Sequence, residues 1–198
     1  MYKAEDEETD VIEAVCRGET QSYGLLVAKY KKPLFNLAFR MTGSYEDADD
    51  LAQESFMRAF QALHRFDRKK PFFTWLYTIT LNLIKNHLKR KGRVVFEEVR
   101  EDVLVKGCVP DEGSCSTMAE ENPIAAVETC MQKLPHDLRE ALVLRFYQDL
   151  PFDAVAEILH LSLSAAKMRV YRGLERLREM MEEEAKESEK SKVESNEP

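Results

Sequence analysis

Residues 151–178 read PFDAVAEILHLSLSAAKMRVYRGLERLR, and their apolar spacing decides the fold class of this end of the chain. The spacing predicts a short amphipathic helix up to Leu159, a tight break over residues 160–162, and a longer helix from about Ser164. Two helices joined by so short a turn are typical of a helix-turn-helix.

The second helix of this pair is strongly basic. In a helix-turn-helix the second helix enters the major groove of duplex DNA, and its basic side chains bind phosphates. On a helical wheel the apolar stripe takes one side, and Ser162 or Ser164 is the expected N-cap. A solvated surface helix with ordinary charges is the alternative. The residues predicted to face DNA are Lys167, Met168, Tyr171 and Arg172.

Composition favours a helical protein. The 198 residues include 44% hydrophobic and 33% charged residues but only 7 Gly and 7 Pro, which argues against a turn-rich sandwich or a low-complexity chain. No apolar run reaches the roughly 20 residues that span a bilayer, and the acidic N-terminus does not resemble a signal peptide. We therefore expect a cytoplasmic protein without membrane insertion.

The N-terminal half repeats apolar residues at three- and four-residue steps over residues 21–93. Pro33 interrupts the first of these helices, so a kink or break is expected there. Ser44 is the predicted N-cap of the second helix, and a third helix is expected to begin near Pro71.

The chain is predicted to contain two helical blocks. A charged segment flanks them at each end, and a linker separates them. The division is an acidic segment over 1–20, a helical bundle over 21–93, a linker over 94–123, a helix-turn-helix domain over 124–181 and a disordered tail over 182–198. The predicted fold class is all-α, with two small helical domains joined by an acidic linker.

One helix face of the N-terminal bundle carries acceptor-rich side chains. Asp50, Gln53 and Glu54 lie opposite the apolar stripe, at i, i+3 and i+4. Such a group can bind arginines of a partner helix, although a plain solvent-exposed face has the same pattern.

The following helix combines aromatic, amide and basic residues. Single-stranded DNA binding uses this combination, because bases stack on rings while phosphates pair with Lys and Arg. The alternative places the aromatic residues in the core, and we expect that for at least two of them. The residues concerned are Phe72, Phe73, Trp75, Tyr77, Thr78, Asn82, Lys85, Lys89, Arg90, Lys91 and Arg93.

The sequence predicts neither a metal site nor catalysis. Cys16, Cys108, Cys115 and Cys130 include no CxxC pair, and in a reducing compartment they are expected to be free thiols. The four histidines are dispersed and suggest no Ser-His or Cys-His pairing. We expect no cofactor and no enzymatic activity.

Three runs together resemble a known family. They are YEDADDLAQESFMRAFQALHRF from residue 45, PFFTWLYTITLNLIKNHLKRKGR from residue 71, and LPHDLREALVLRFYQDLPFDAVAEILHLSLSAAKMRVYRGLERLRE from residue 134. In this order they are similar to the extracytoplasmic-function (ECF) sigma factors, the two-domain members of the bacterial sigma-70 family. The resemblance covers residues 21–178 apart from the linker.

The resemblance implies a role for each segment. Asp50, Gln53 and Glu54 match the segment that docks on the β′ clamp helices of core RNA polymerase. The helix after Pro71, with the loop before it, matches the part that melts the minus-10 element and captures a flipped base. The helix-turn-helix matches the part that reads the minus-35 element as duplex. The implied minus-10 residues are Trp75, Thr78, Asn82, Lys85, Lys89 and Arg90, and the implied minus-35 residues are Ser164, Lys167, Met168, Tyr171 and Arg172.

The resemblance also implies a role for the linker and a regulatory partner. The linker of the family threads toward the active centre of the polymerase, where acidic side chains can mimic RNA phosphates. An anti-sigma factor is an expected partner. The acidic linker residues are Glu97, Glu98, Glu101 and Asp102.

The sequence departs from the family pattern in the helix-turn-helix. His160 stands where the family often has Gly, and Ala165, Ala166 and Met168 replace commoner recognition residues. An autonomous helix-turn-helix regulator with a sensing or dimerisation domain is the second hypothesis, and a helical protein-binding adaptor is the third.

Overall fold

The computed structural model describes residues 5–92, here the N-terminal part, and residues 123–194, the C-terminal part. Each part contains four α-helices and no β-strand within those ranges. The predicted all-α class is confirmed. The helices are α1 (Glu5–Cys16), α2 (Tyr23–Thr42), α3 (Tyr45–Ala62), α4 (Phe72–Arg90), α5 (Pro123–Lys133), α6 (His136–Leu142), α7 (Phe152–Leu159) and α8 (Leu163–Glu194).

The segment predicted to be a separate acidic stretch includes the helix α1. Ile12 and Val15 of α1 are buried, so the helix is part of the hydrophobic core. Glu8 is also buried, and its carboxylate accepts hydrogen bonds from Lys29 and Tyr30 of α2. The high acidic content of the segment hid this short apolar face, which only the packing on α2 makes visible.

Local signals place the ends of α2 and α3. The helix α2 does not break at Pro33 but runs through it, and it ends at Gly43 in the left-handed conformation. Only Gly adopts that conformation without a steric cost. The Ser44 hydroxyl then accepts a hydrogen bond from the Asp47 amide and caps α3, as predicted.

The helix α4 is held mainly by its apolar face. It begins after Pro71, as the sequence predicted, and buries Phe72, Phe73 and Tyr77. The expectation that at least two of its aromatic residues belong to the core is confirmed.

A π-helical turn changes the exposure of one predicted core residue. The apolar spacing predicts that one helix is lined by Leu138, Ala141, Leu142 and Phe146, but residues Val143–Tyr147 form a π turn. The wider turn rotates the residues after it relative to an α-helix. Phe146 is consequently 53% exposed.

The last helix is longer than predicted. α8 continues to Glu194, past Met181 where a disordered tail was expected. Its later turns pack on α5, where Glu184 binds Lys133 and accepts a hydrogen bond from the Cys130 thiol. Contact with α5 therefore holds residues that their composition alone would leave as coil.

One hydrophobic core runs through both parts. Buried residues of α2 and α4 are continuous with those of α6 and α7, so the two sets of helices pack directly against each other. The predicted linker acids at 97, 98, 101 and 102, together with Cys108 and Cys115, lie outside the described residues. No helix in the described ranges is long and apolar enough to span a membrane.

Candidate nucleic-acid and partner interfaces

The N-terminal end of α4 carries an aromatic cluster of Phe66, Phe72 and Trp75. The Trp75 ring lies 5.0 Å from the ring of Phe66 and 5.7 Å from that of Phe72, measured between centroids. Trp75 is half-buried, whereas Phe72 is fully buried. Two core rings therefore fix an indole that still reaches solvent.

The predicted minus-10 residues share one face of α4 but differ in their contacts. Asn82, Lys89 and Arg90 are exposed, and in the described ranges neither cation forms an ion pair. The Thr78 hydroxyl donates to the Thr74 carbonyl. Lys85 is engaged by Glu140 of α6 at 2.9 Å. The structure thus brings the set together with Lys85 already paired.

A groove beside this face adds a residue from another helix. Arg58 of α3 joins Leu83, Asn86, Lys89 and Arg90 of α4 around about 440 Å³ of open space. Arg58 is paired with Glu54, whereas Lys89 and Arg90 form no ion pair in the described ranges. These two cations and the Asn86 amide lie over the apolar Leu83 and form an electropositive surface that suits phosphate groups. The sequence could not place Arg58 there, because the two helices meet only in the fold.

The loop before α4 contains basic residues that the predicted set omitted. Arg68, Lys69 and Lys70 are exposed next to the aromatic cluster. The Asp67 side chain accepts a hydrogen bond from the Lys69 amide and shapes the loop. The run DRKK directly before Pro71 was the signal that could have identified them.

The predicted polymerase-binding residues lie on the exposed side of α3. Asp50 and Gln53 are exposed, and Glu54 is half-exposed beside Arg58, with 2.6 Å between carboxylate and guanidinium. Met57 and Phe60 lie on the same side, 60% and 41% exposed. We call this surface the docking face, and it consists of Asp50, Gln53, Glu54, Met57 and Phe60.

Helical spacing alone would have revealed the apolar members of the docking face. Met57 and Phe60 follow Gln53 at i+4 and i+7, so all three share one side of the helix. Exposed apolar side chains beside acidic ones are typical of protein–protein interfaces.

The turn between α7 and α8 has the geometry of a helix C-cap. His160 adopts the left-handed conformation with φ 55°. The His160 amide donates to Glu157, and the Leu161 amide donates to Ala156. These are the two hydrogen bonds of a Schellman motif, which usually places Gly at this position. The turn stays tight although His160 replaces Gly.

The helix α8 presents the predicted recognition residues to solvent. The Ser162 hydroxyl accepts a hydrogen bond from the Ala165 amide, so Ser162 rather than Ser164 caps the helix. Lys167 lies 5.9 Å from the Phe152 ring centroid, and Tyr171 lies 6.3 Å from the same ring. The exposed residues are Ser164, Lys167, Met168, Tyr171 and Arg172.

A buried carboxylate joins the two candidate DNA-binding helices. Glu140 of α6 is 3% exposed at its side chain and contacts Lys85 of α4 at 2.9 Å and Arg169 of α8 at 3.4 Å. Burial raises the pKa of Glu140, and the two cations oppose that rise.

A second acidic residue, Asp47, forms ion pairs at the C-terminal end of α4. Asp47 of α3 contacts Lys91 at 2.8 Å and His87 at 3.3 Å. The hydrogen bond from Lys91 lowers the pKa of Asp47, despite the opposing effect of burial. Lys91 is thus occupied by a protein carboxylate, and Arg93 lies outside the described residues.

Cysteine and histidine residues form no metal-binding group in the part of the chain that the structure describes. Cys16 is exposed and Cys130 is buried, both as free thiols. Burial raises the pKa of the Cys130 thiol to about 11.

Comparison with family sequence models finds two matches, in the expected order. Sigma-70 region 2 matches residues 26–94, and sigma-70 region 4 matches residues 124–177. The first match covers most of α2 and all of α3 and α4, and the second covers nearly all of α5 to the first half of α8.

Similar proteins and structures agree with these matches. The RNA polymerase sigma-H factor of Pseudomonas aeruginosa is 32% identical, over 86% of this chain and 92% of that protein. The ECF RNA polymerase sigma factor SigW of Bacillus subtilis is 27% identical, over 86% and 94%.

Among solved structures, CnrH in complex with the cytosolic domain of CnrY matches with a TM-score of 0.65 and 24% identity. The match covers 87% of this chain and 95% of CnrH. This likeness shows a shared fold. With both regions in order and a relative 32% identical across most of its length, the chain belongs to the ECF sigma factors of the bacterial sigma-70 family.

Proposed function

We propose that this chain directs transcription initiation by docking on core RNA polymerase through α3, trapping the minus-10 strand at α4 and reading the minus-35 duplex with α8. One observation carries the proposal. Three residue sets predicted from sequence lie on three different helices, and every member is at least partly exposed, although Lys85 is already paired with Glu140. Sigma factors are transcription initiation factors and not enzymes, so binding surfaces are the expected functional parts.

The docking face suits a helical partner that carries arginines. Asp50 and Gln53 supply charged and amide oxygens for guanidinium groups. Met57 and Phe60 add apolar area, and aromatic residues and Met are enriched at protein–protein interfaces. The β′ clamp helices are the partner that the family resemblance implies.

Trp75 and its neighbours suit strand separation at the minus-10 element. Melting costs a few kcal/mol, which stacking and pocket contacts with unpaired bases can offset. Trp75 offers a fixed ring for stacking, Asn82 offers an amide for a base edge, and Lys89 and Arg90 offer charges for the strand backbone. The groove that contains Arg58 extends this charged surface.

The capped end of α8 suits the major groove of the minus-35 element. The recognition residues lie within the first three turns, which are the turns that reach base edges in a helix-turn-helix. Lys167 and Arg172 can also bind phosphates.

The formal charge of −7 is compatible with this function. Cations are concentrated on α4 and α8, while core polymerase supplies further positive surface, so the free chain need not bind DNA tightly. The cytosol is the proposed place of action, because core polymerase acts there. An anti-sigma factor is the proposed regulatory partner.

Co-purification with core RNA polymerase tests the docking step. Asp50→Ala and Gln53→Ala are each expected to weaken core binding by about 5- to 150-fold, because truncating a charged or central contact costs about 1–3 kcal/mol. Asp10→Ala removes an exposed residue from α1 and serves as the matched control. Normal core binding by both α3 variants would overturn the docking assignment.

Transcription from a pool of promoter fragments tests the complete function. Core polymerase with the full chain is expected to start at defined sites that share minus-10 and minus-35 elements. A chain that binds duplex DNA alone and ignores core polymerase would instead be an autonomous helix-turn-helix regulator.

A further inference from the structure

The loop before α4 is a tight turn that starts at the aromatic cluster. We call residues 67–70 the basic loop, and they directly follow Phe66, whose ring belongs to that cluster. The Lys70 amide donates to the Asp67 carbonyl at 3.0 Å, and the Lys69 amide donates to the Asp67 carboxylate at 3.1 Å. Because two hydrogen bonds close the turn beside Phe66, the position of the loop and the position of the ring depend on each other.

An ion pair with another helix holds the middle of the basic loop. Nη1 of Arg68 donates a hydrogen bond to Oε1 of Glu13 in α1 at 2.9 Å, across 55 positions of sequence. The helix α1 also packs on the 3₁₀ turn Leu63–Arg65, which immediately precedes Phe66. The other oxygen of Glu13 lies 3.9 Å from the guanidinium of Arg17 on the same helix. Of the two arginines, Arg68 therefore makes the closer contact.

The ion pair leaves Arg68 able to bind a second anion. A guanidinium has five N–H donors in a planar fork, and the hydrogen bond to Glu13 uses one of them. The Arg68 side chain is 48% exposed, so its other donors can reach a phosphate in solvent. In single-stranded DNA binding the phosphates run beside the rings on which the bases stack. A strand stacked on Trp75 would place phosphates near the basic loop.

We infer that Glu13 is a positioning residue for the minus-10 strand, because it holds Arg68 where the guanidinium meets a phosphate of that strand. The inference rests on the proposed function. A side chain that is already held in its bound geometry loses less conformational entropy on binding, which raises affinity. By this route α1 acts on the promoter strand without touching it, although Glu13 lies outside residues 26–94 that match sigma-70 region 2.

The sign of the effect separates positioning from simple electrostatics. Glu13 carries a negative charge close to a surface that we propose to bind DNA. By charge alone, its removal should strengthen strand binding, because one source of repulsion is lost. Positioning predicts the opposite result, because without Glu13 the Arg68 side chain is no longer oriented.

Binding of a single strand by assembled holoenzyme measures this sign. The probe is a labelled oligonucleotide with the minus-10 element found in the transcription experiment, and the same bases in scrambled order are the reference. Glu13→Ala is expected to weaken specific binding about two- to fivefold, the range that a half-exposed ion pair supports. Core binding should stay unchanged, because Glu13 is not on the docking face. Asp10→Ala removes an exposed acid from the same helix and should bind the strand as the wild type does.

A double-mutant cycle identifies the route of the effect. Arg68→Ala should weaken strand binding at least as much as Glu13→Ala. In the Arg68→Ala background, Glu13→Ala should have no further effect, because its partner is already absent. Glu13→Asp keeps the charge but is shorter by one methylene group, so it should not restore the affinity of the wild type.

The outcomes separate this inference from the proposed function. If Glu13→Ala binds the strand as tightly as Asp10→Ala, or if the effects of Glu13→Ala and Arg68→Ala add, the inference is overturned and the sigma function stands. Wild-type affinity in Glu13→Asp would show that charge alone acts, and it would overturn the positioning role as well. If wild-type holoenzyme does not distinguish the minus-10 strand from its scrambled form, the proposed function itself fails.

Discussion

His136 and Glu140 of α6 show how burial acts on single side chains. They lie one helical turn apart, and burial shifts them in opposite directions because it disfavours the charged form of each. It lowers the pKa of His136 to about 4, with help from the positive charges of Arg139 and Lys85, and it raises the pKa of Glu140. The pKa of each of these two side chains therefore depends on burial and on the neighbouring cations as well as on the residue type.

The shift of His136 predicts a specific pH dependence of stability. Below pH 6.5 the unfolded chain binds a proton at this residue that the folded chain does not bind until about pH 4. Acidification through this window therefore favours unfolding. Between pH 6.5 and 5 the wild type should lose up to about 2 kcal/mol of unfolding free energy more than His136→Gln, measured by urea denaturation.

Two comparisons isolate the histidine. Glu140 acts with the opposite sign, since its raised pKa favours the folded state on acidification, so the informative quantity is the difference between variant and wild type. His64→Gln changes an exposed histidine and should follow the wild-type curve. Identical pH curves for wild type and His136→Gln would contradict the assignment.

Among the elements, the pair α6 and α8 depends on a glycine. A β-carbon at Gly173 would lie 2.9 Å from Cγ of Leu142, which is itself buried. Because Gly173 has no side chain, the recognition helix α8 packs directly on α6 at this point.

Gly173→Ala is therefore expected to destabilise the protein by about 1–2 kcal/mol. Overpacking costs about 1–3 kcal/mol, while the gain in helix propensity returns up to about 1 kcal/mol. Gly24→Ala is the matched control, because no atom lies within 4 Å of a β-carbon at that helical position. A thermal melt in which Gly173→Ala is as stable as Gly24→Ala would show that α6 and α8 do not pack so closely.

The recognition helix gives a second prediction for an element. Lys167→Ala and Arg172→Ala should each weaken promoter binding by holoenzyme at least several-fold while core binding survives. Each lost phosphate contact lowers the salt dependence by about 0.9 in the log–log slope.

Lys186→Ala serves as the control for these two variants. It removes a cation about 28 Å beyond Lys167 and about 21 Å beyond Arg172 along the same helix, at 1.5 Å per residue. Promoter binding that falls equally in all three variants would indicate a general charge effect and not contacts by the first turns of α8.

For the whole molecule, the distribution of charge matters more than its sum. The net charge of −7 includes acidic residues in α1, on the docking face of α3 and in the later turns of α8. In the described ranges no ion pair occupies Lys89 and Arg90 of the groove or Lys167 and Arg172 of the recognition helix. We expect the acidic surfaces to favour polymerase over free DNA, which matches a protein that reads promoters only as part of a complex.

Much of the fold could be predicted from residue order. The apolar periodicity indicated α2, α3, α4, α7 and the start of α8, and Ser44 and Gly43 marked one helix boundary through local chemistry. Phe146 was predicted wrongly because a π turn leaves no clear signal in the spacing. The residues of α1 and of the late turns of α8 were missed as helices, because acidic composition concealed the few positions that pack on a neighbour.

The sequence by itself determined the helical class, the family and the three candidate binding surfaces, because each depends on residues close together along one helix. Tertiary structure decided what depends on distant residues: the groove that Arg58 completes, the burial of Glu140 between Lys85 and Arg169, and the packing of one part on the other. Helical periodicity shows which face of a helix is apolar, but it does not show which neighbour covers that face.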